Sequence, residues 1–540
     1  MTDLLSVELR NIEKQIDEFY LTNDLVQIPY SQALWYLLGY YEDKYLVTLS
    51  GFQKLSINQI SAFIDNIIIE LKHSIHWIYS SCPKDGTYTR EFNEYYYKAS
   101  HRLAELAQNY LNFETLFTYG SQGLIQLEVV DSTIMAVGNT FEDSTHEAYD
   151  RLLEETPQKN IKNKDKIIKS IIKSLSVKGG DFSYVASKKL ICLAIKSMNI
   201  YDDNIFTLPS NWNLGSYSID EFRRMYKVIL ALSFIHLLAR GLAAELGCAA
   251  LGFYNGLIVI SKTDLIRKIS IFSSVKEKTA CQFVEELTYG EQGIKNPDPA
   301  LQPLFKIEND TYILMPSLLL GSSAERNYIV LMNRIPEKRQ NYLKLVQEKE
   351  ICLKGKIQSE ITLPSIHYYS GKPNWTNSLP DIDLAIISDK DKTVTCLELK
   401  WFICPSEPRE VIEKSKEIQK GISQLLKLRD EFLYYPSYFQ NLMKVDDSYE
   451  FFFILLSENN IGLGVFQDKR IPVLKVSHFI EQVNTLKDLR EVSNWCIGHK
   501  YLPVQNQDFL KCESHSKIGE WKANWYGIRS NEGDLLSQFI

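Results

Sequence analysis

Cysteine is sparse in this sequence: nine in 540 residues, an odd number set mostly among apolar neighbours, as Cys192 is between Ile191 and Leu193. This argues against a disulfide framework and fits reduced core thiols in the cytoplasm. Long apolar runs are missing as well. The longest strongly apolar uncharged stretch, Leu246 to Ser261, has 16 residues with three glycines and an asparagine, short of the roughly 20 that a membrane-spanning helix needs. No membrane span is expected. The opening MTDLLSVELRNIEKQIDEFY lacks the basic start and apolar centre of a signal peptide, so secretion is not expected either. There is no excess of positive charge. With a formal net charge of −7, any contact with nucleic acid must come from local basic surface.

Missing motifs narrow the chemistry further. No GxxxxGK[ST] phosphate loop occurs, because Gly355-Lys356 and Gly371-Lys372 are followed by Ile357 and Pro373. His146-Glu147 lacks the second histidine of a zinc-protease helix, and no GxSxG elbow is present. No internal repeat or low-complexity tract is visible, which excludes a solenoid.

What is present is an ordinary globular composition, 45% hydrophobic and 24% charged, in a chain too long for one core. The pattern predicts a multidomain α+β protein. Residues 1–335 form a helix-rich region that senses, docks or regulates, divisible into two domains, with a small β-hairpin insertion; residues 336–540 form a second domain with a C-terminal extension. Helical spacing of Tyr95, Tyr96, Leu103, Leu106 and Tyr110 marks a packed helix, and LIQLEVVD and TIMAVG flank a turn at Asp131-Ser132. Ser218 is the expected N-cap of a long buried helix that Gly247 stops, and QPLFKIENDTYILM reads as a hairpin around Asn309-Asp310. Lys162, Lys166, Lys169 and Lys173 fall on one helical face opposite Ile168, Ile171 and Ile172, a candidate nucleic-acid contact against the plainer alternative of a solvated face.

The informative region starts at a helix after Pro336, whose apolar stripe Val346, Leu353 and Ile357 is completed by Glu350. An acid on an inward face calls for a partner or a metal. Three strands follow, ITLPSIHYY, DIDLAIIS and TVTCLELKWF, the last two joined by the charged turn Asp389 to Lys392. Alternation puts Asp381, Asp383, Ala385 and Ile387 on one face of the middle strand, and Cys396, Glu398 and Lys400 on one face of the next. If those faces coincide, two carboxylates and an ammonium converge. Phosphodiester hydrolysis needs such a set: Asp383 and Glu398 as oxygen ligands of Mg²⁺ or Mn²⁺, the carbonyl of Leu399 as a further ligand, and Lys400 to orient water or stabilise charge. A helix over Pro408 to Asp430 and a buried strand over Tyr449 to Glu458 complete the run.

Pro380-Asp381-Ile382-Asp383-Leu384 with Glu398-Leu399-Lys400 resembles the PD-(D/E)xK superfamily of restriction endonuclease-like proteins, over roughly residues 338–470. The resemblance implies an αβββαβ core, Mg²⁺-dependent phosphodiester hydrolysis and roles in restriction, repair or phage defence. It assigns Asp383, Glu398 and Lys400 to the three motif positions, with Asp381 a rival for the first, and Glu350 to the upstream helical glutamate. Gln419 is added because some relatives carry a glutamine on the second helix. DNA is the favoured substrate and RNA the alternative; a homodimer or a defence-system partner protein is compatible, as is a non-catalytic module that binds nucleic acid or protein. Separately, Cys496, His499, Cys512 and His515 form two CxxH pairs with residue types that suit zinc.

Overall fold

A computed structural model describes residues 2–51, 57–137, 144–152, 163–178, 180–199, 208–248, 256–308, 310–372, 379–405 and 407–530. Aromatic-rich helices open the chain: α1 (Thr2–Asp17), α2 (Tyr30–Gly51), α3 (Ile57–Ser81) and α4 (Glu94–Ser121). Strands β1 (Gln126–Val130) and β2 (Thr133–Val137) then pair antiparallel. Their turn residues Asp131 and Ser132 both have positive φ, 48° and 59°, the geometry that matches the twist of a two-residue hairpin. Next come α5 (Thr145–Leu152), α6 (Lys164–Ile172), the short pair β3 (Ser176–Lys178) and β4 (Asp181–Ser183), and α7 (Lys188–Ser197).

Helix α8 (Ile219–Glu245) begins at a reciprocal capping box: Glu221 N–H donates to Ser218 Oγ, and Ser218 N–H donates to the Glu221 side chain. The helix is long and apolar enough to cross a membrane, which a search for uncharged runs overlooks because Arg and Lys punctuate it. Most of its apolar length is buried inside the protein, as expected of a helix apolar on every side at the centre of a core. Around it lie α9 (Lys262–Ser273), α10 (Glu277–Glu286), α11 (Pro316–Gly321) and α12 (Ala324–Arg334), with β5 (Ile258–Ser261), β6 (Leu304–Ile307) and β7 (Thr311–Leu314) in a sheet of order β5-β7-β6. The expected hairpin is β6 to β7; Asp310 takes φ 51° in its turn, and Asn309 lies outside the described residues.

Where these helices meet, a charged cluster is buried. Arg240 pairs with Asp43, Tyr97 OH donates to Asp43 Oδ2 at 2.8 Å, and Ser317 N–H donates to Glu42 Oε1 at 2.7 Å. Burial pushes Glu42 up to about 7 against the pull of Arg240. An acid that binds its proton more tightly folded than unfolded loses stability as pH rises from its ordinary value to its folded one. Glu42→Gln should therefore flatten the fall in denaturant midpoint between about pH 4.5 and about pH 7. An unchanged pH slope would remove Glu42 from the account.

The C-terminal part runs α13 (Arg339–Glu360), β8 (Ile366–Gly371), β9 (Ile382–Ser388), β10 (Thr393–Lys400), α14 (Pro408–Tyr434), α15 (Pro436–Met443) and β11 (Glu450–Ser457). After it come β12 (Val473–Lys475), α16 (Val476–Leu486) and α17 (Leu489–Ile497). The sheet order is β12-β11-β10-β9-β8. Strands β8, β9 and β10 are antiparallel neighbours, and the short turn Asp389 to Lys392 joins the last two. Strand β11 is parallel to β10, because the long helix α14 carries the chain back across the sheet between them.

Two contacts join segments far apart in the chain. The last strands, β13 (Phe509–Ile518) and β14 (Trp521–Ser530), join the β1–β2 hairpin, with β14 parallel to β2 at Lys522 opposite Thr133. Tyr149 of α5 is buried in the core built by residues 353–501; its hydroxyl accepts from Lys475 N–H at 3.0 Å and lies 3.0 Å from His478 Nδ1.

Candidate active site

Strands β9 and β10 pair in register up to Leu384 opposite Leu397, which sets Asp383 opposite Glu398 one step further along. The ladder ends there, and the Asp383 side chain takes over: its Oδ2 accepts the Leu399 N–H at 2.8 Å. Glu398 is buried, and Lys400 Nζ lies 2.7 Å from its Oε1. The middle strand and its neighbour therefore bring the two carboxylates and the ammonium to one place.

The charges respond to one another. Glu398 is pushed up to about 7, first by burial and then by the Asp383 charge, with Lys400 opposing both. Burial also raises Asp383, while the Leu399 N–H, Lys400 and Lys354 hold it down. For Lys400 burial acts to remove the proton, but the carboxylates of Glu398, Asp383 and Glu350 outweigh it and hold the amine above its usual value. Lys400 is thus a cation at neutral pH rather than a free base. Asp381 is exposed, just ahead of the strand, and reaches the site through its charge on Asp383.

Glu350 departs from expectation. The buried stripe of α13 is Leu345, Leu353 and Ile357, with half-buried Lys349 between them, so the helix is rotated relative to the phase read from Val346 and Glu350 is exposed. Its carboxyl nonetheless feels the site: partial desolvation raises its pKa, with Lys400 lowering and Asp383 raising it. Gln419 is exposed on α14. The residue of that helix that reaches the pair is Gly421, where an added Cβ would lie 3.1 Å from Lys400 Cε and 3.3 Å from Glu398 Cγ. Sequence patterning passed over it, although a glycine in the middle of an amphipathic helix is itself a signal of close approach.

The segment that follows Lys400 is held from the N-terminal side. Arg326 donates to the Cys404 carbonyl from Nη2 at 2.7 Å and reaches Glu410 at 3.3 Å, and Lys72 pairs with Glu407 at 2.7 Å. No sequence signal links these residues, which come from α3 and α12.

The donor set suits a hard divalent cation: carboxylates of Asp383 and Glu398, the Leu399 carbonyl, and Glu350 nearby. The mutual repulsion of Asp383 and Glu398 is what a bound cation would relieve. Among the described residues, however, no three His, Cys, Asp or Glu side chains stand together as a ready metal cluster.

The zinc set is not assembled. Cys496 is buried in the core on α17, and His499 has Nε2 3.0 Å from the Lys469 carbonyl and Nδ1 3.3 Å from Tyr501 OH. Cys512 and His515 belong to β13 in the other sheet, where His515 Nδ1 lies 3.0 Å from Asn524 Oδ1. Lys166 and Lys169 on α6 and Lys173 just after it are exposed; Lys162 lies outside the described residues. The buried side of that helix is Ile167 and Ile171, and Ile172 is exposed rather than inward, one position away from the expected stripe.

Compared with protein-family models, with curated proteins and with solved structures, the chain matches none.

Proposed function

We propose that the C-terminal part of this chain is a divalent-cation-dependent nuclease of the PD-(D/E)xK type, hydrolysing phosphodiester bonds in DNA. The observation that carries the proposal is Asp383 opposite Glu398 on adjoining strands, with Lys400 ion-paired to Glu398. The order helix, three antiparallel strands, helix, parallel strand supports it independently of those residues.

The residues divide the work. Asp383 and Glu398 would hold Mg²⁺ or Mn²⁺, with the Leu399 carbonyl adjacent, and the bound ion supplies an activated water and charge stabilisation. The Leu399 N–H fixes the Asp383 carboxylate on the strand, so that group is oriented before substrate arrives. Lys400, kept protonated by its acidic neighbours, places a positive charge where negative charge grows on the phosphate. Glu350 and Lys354 stand at the margin as electrostatic neighbours of Asp383 and Lys400.

Incubating the full chain with plasmid, single-stranded DNA and RNA, each with Mg²⁺, Mn²⁺ or EDTA, tests this. DNA cut only with added metal is the expected result. Cleavage of RNA alone would reassign the substrate, and no cleavage of any of them would leave a non-catalytic binding module. The lysines singled out in the sequence between residues 162 and 173 are proposed to help hold the nucleic acid. Changing Lys162, Lys166, Lys169 and Lys173 to glutamine should weaken binding and flatten its salt dependence by about 0.9 log units per lost duplex phosphate contact. An identical slope in the variant would leave them as solvated surface.

A further inference from the structure

Helix α14 buries Ser415, Ile418, Gly421, Ile422, Leu425 and Leu428, and of these Ile418, Ile422, Leu425 and Leu428 join the core that contains strands β9 to β11. Two of these inward residues are small, and each marks a close approach. Ser415 meets the loop at Gly462, where an added Cβ would come within 3.2 Å of Ser415. At Gly421 an added Cβ would stand 2.7 Å from Leu455 Cδ1, 3.1 Å from Lys400 Cε and 3.3 Å from Glu398 Cγ. Glycine inside a helix is disfavoured relative to alanine. At this position the absence of a side chain is what lets the helix backbone lie against the aliphatic stems of Lys400 and Glu398.

We propose that Gly421 is a positioning residue: the bare backbone of α14 presses Lys400 and Glu398 into the rotamers that make their 2.7 Å ion pair. The role given to that pair rests on the nuclease reading above. A methyl group at residue 421 meets two kinds of neighbour. Leu455 Cδ1 is the end of a flexible apolar side chain, and a clash there is a packing fault. The contacts with Lys400 and Glu398 move the charged groups themselves. The two effects separate by substitution.

The test compares full-length wild type, Leu455→Val, Gly421→Ala and the Gly421→Ala/Leu455→Val double variant. Two quantities are read: kcat and KM for metal-dependent cleavage, and reductive methylation of Lys400 in metal-free protein, followed by mass spectrometry. Leu455→Val should match wild type in both. Gly421→Ala should lower kcat by about 10- to 100-fold, a part of what one misplaced catalytic group costs, with KM within about twofold, and Lys400 should be methylated several-fold faster as its pin to Glu398 loosens. The double variant removes the Leu455 clash and serves if the single variant does not fold. It should keep the low kcat and the fast labelling. Return of both to wild-type values in the double variant would reduce Gly421 to a packing residue and overturn the proposal, as would wild-type values in Gly421→Ala. If wild type cleaves nothing, the nuclease reading fails, and the Lys400 labelling still decides whether Gly421 positions the pair.

Discussion

Asp383→Ala and Glu398→Ala should each bring phosphodiester cleavage to background in full-length protein whose unfolding transition remains cooperative. Each removes one of two carboxylates that face one another across β9 and β10, and the remaining group has no acidic partner on the strand opposite to replace it. Lys400→Ala should slow cleavage by roughly 10² to 10⁴ and leave metal binding in place, since the lysine contributes charge rather than ligation. Asp381→Ala should be milder, because that side chain is exposed and acts on the site only through Asp383. Combining the three deletions should add little to the first, since the groups serve one transition state. Loss of activity in Asp381→Ala with activity kept in Asp383→Ala would move the first ligand two residues upstream.

A loss of comparable size, in stability, is expected far from the site. Tyr149→Ala should destabilise the chain by roughly 3 to 5 kcal/mol, the usual cost of truncating a large buried aromatic residue. The residue is buried among the side chains of the C-terminal core, where its hydroxyl also accepts from Lys475 N–H. Beside it, Asp150 accepts from Asn460 Nδ2 at 2.7 Å and from Ile461 N–H. A fragment beginning at residue 336 lacks both residues, and it lacks the β1–β2 hairpin that β14 pairs with. Denaturant unfolding of that fragment should be broad and non-cooperative, while the full chain gives a sharp transition. A cooperative, active fragment would show that α5 and the shared sheet are dispensable.

The parts of this architecture that could be read in the sequence are local. A short turn links β9 to β10, and two-residue alternation groups Asp383 on a face of the first with Glu398 and Lys400 on a face of the second. The register that sets Asp383 opposite Glu398 was open until the turn geometry at Asp389 to Lys392 was known. The phase of α13 is ambiguous in the sequence because Val346, Leu353 and Ile357 fit a stripe almost as well as the buried set Leu345, Leu353 and Ile357. Lys349, lying over Trp401 at 5.7 Å, is amphipathic enough to take the inward place that Glu350 was given. Spacing along the chain likewise cannot tell that Cys496 is buried in the core around strands β9 to β12 while Cys512 lies on β13 of another sheet. Pairing of Lys522 with Thr133, and burial of Tyr149 against Lys475, join segments hundreds of residues apart and leave no periodic trace in either.

The most direct measurement of the central claim is Mn²⁺ titration, by calorimetry, of wild type, Asp383→Ala, Glu398→Ala and Lys400→Ala, with DNA cleavage assayed on the same samples. Wild type and Lys400→Ala should bind the ion, both carboxylate variants should lose that binding, and only wild type should cleave at full rate. Mn²⁺ binding and cleavage that persist at wild-type levels in folded Asp383→Ala and Glu398→Ala proteins would contradict the assignment of this site.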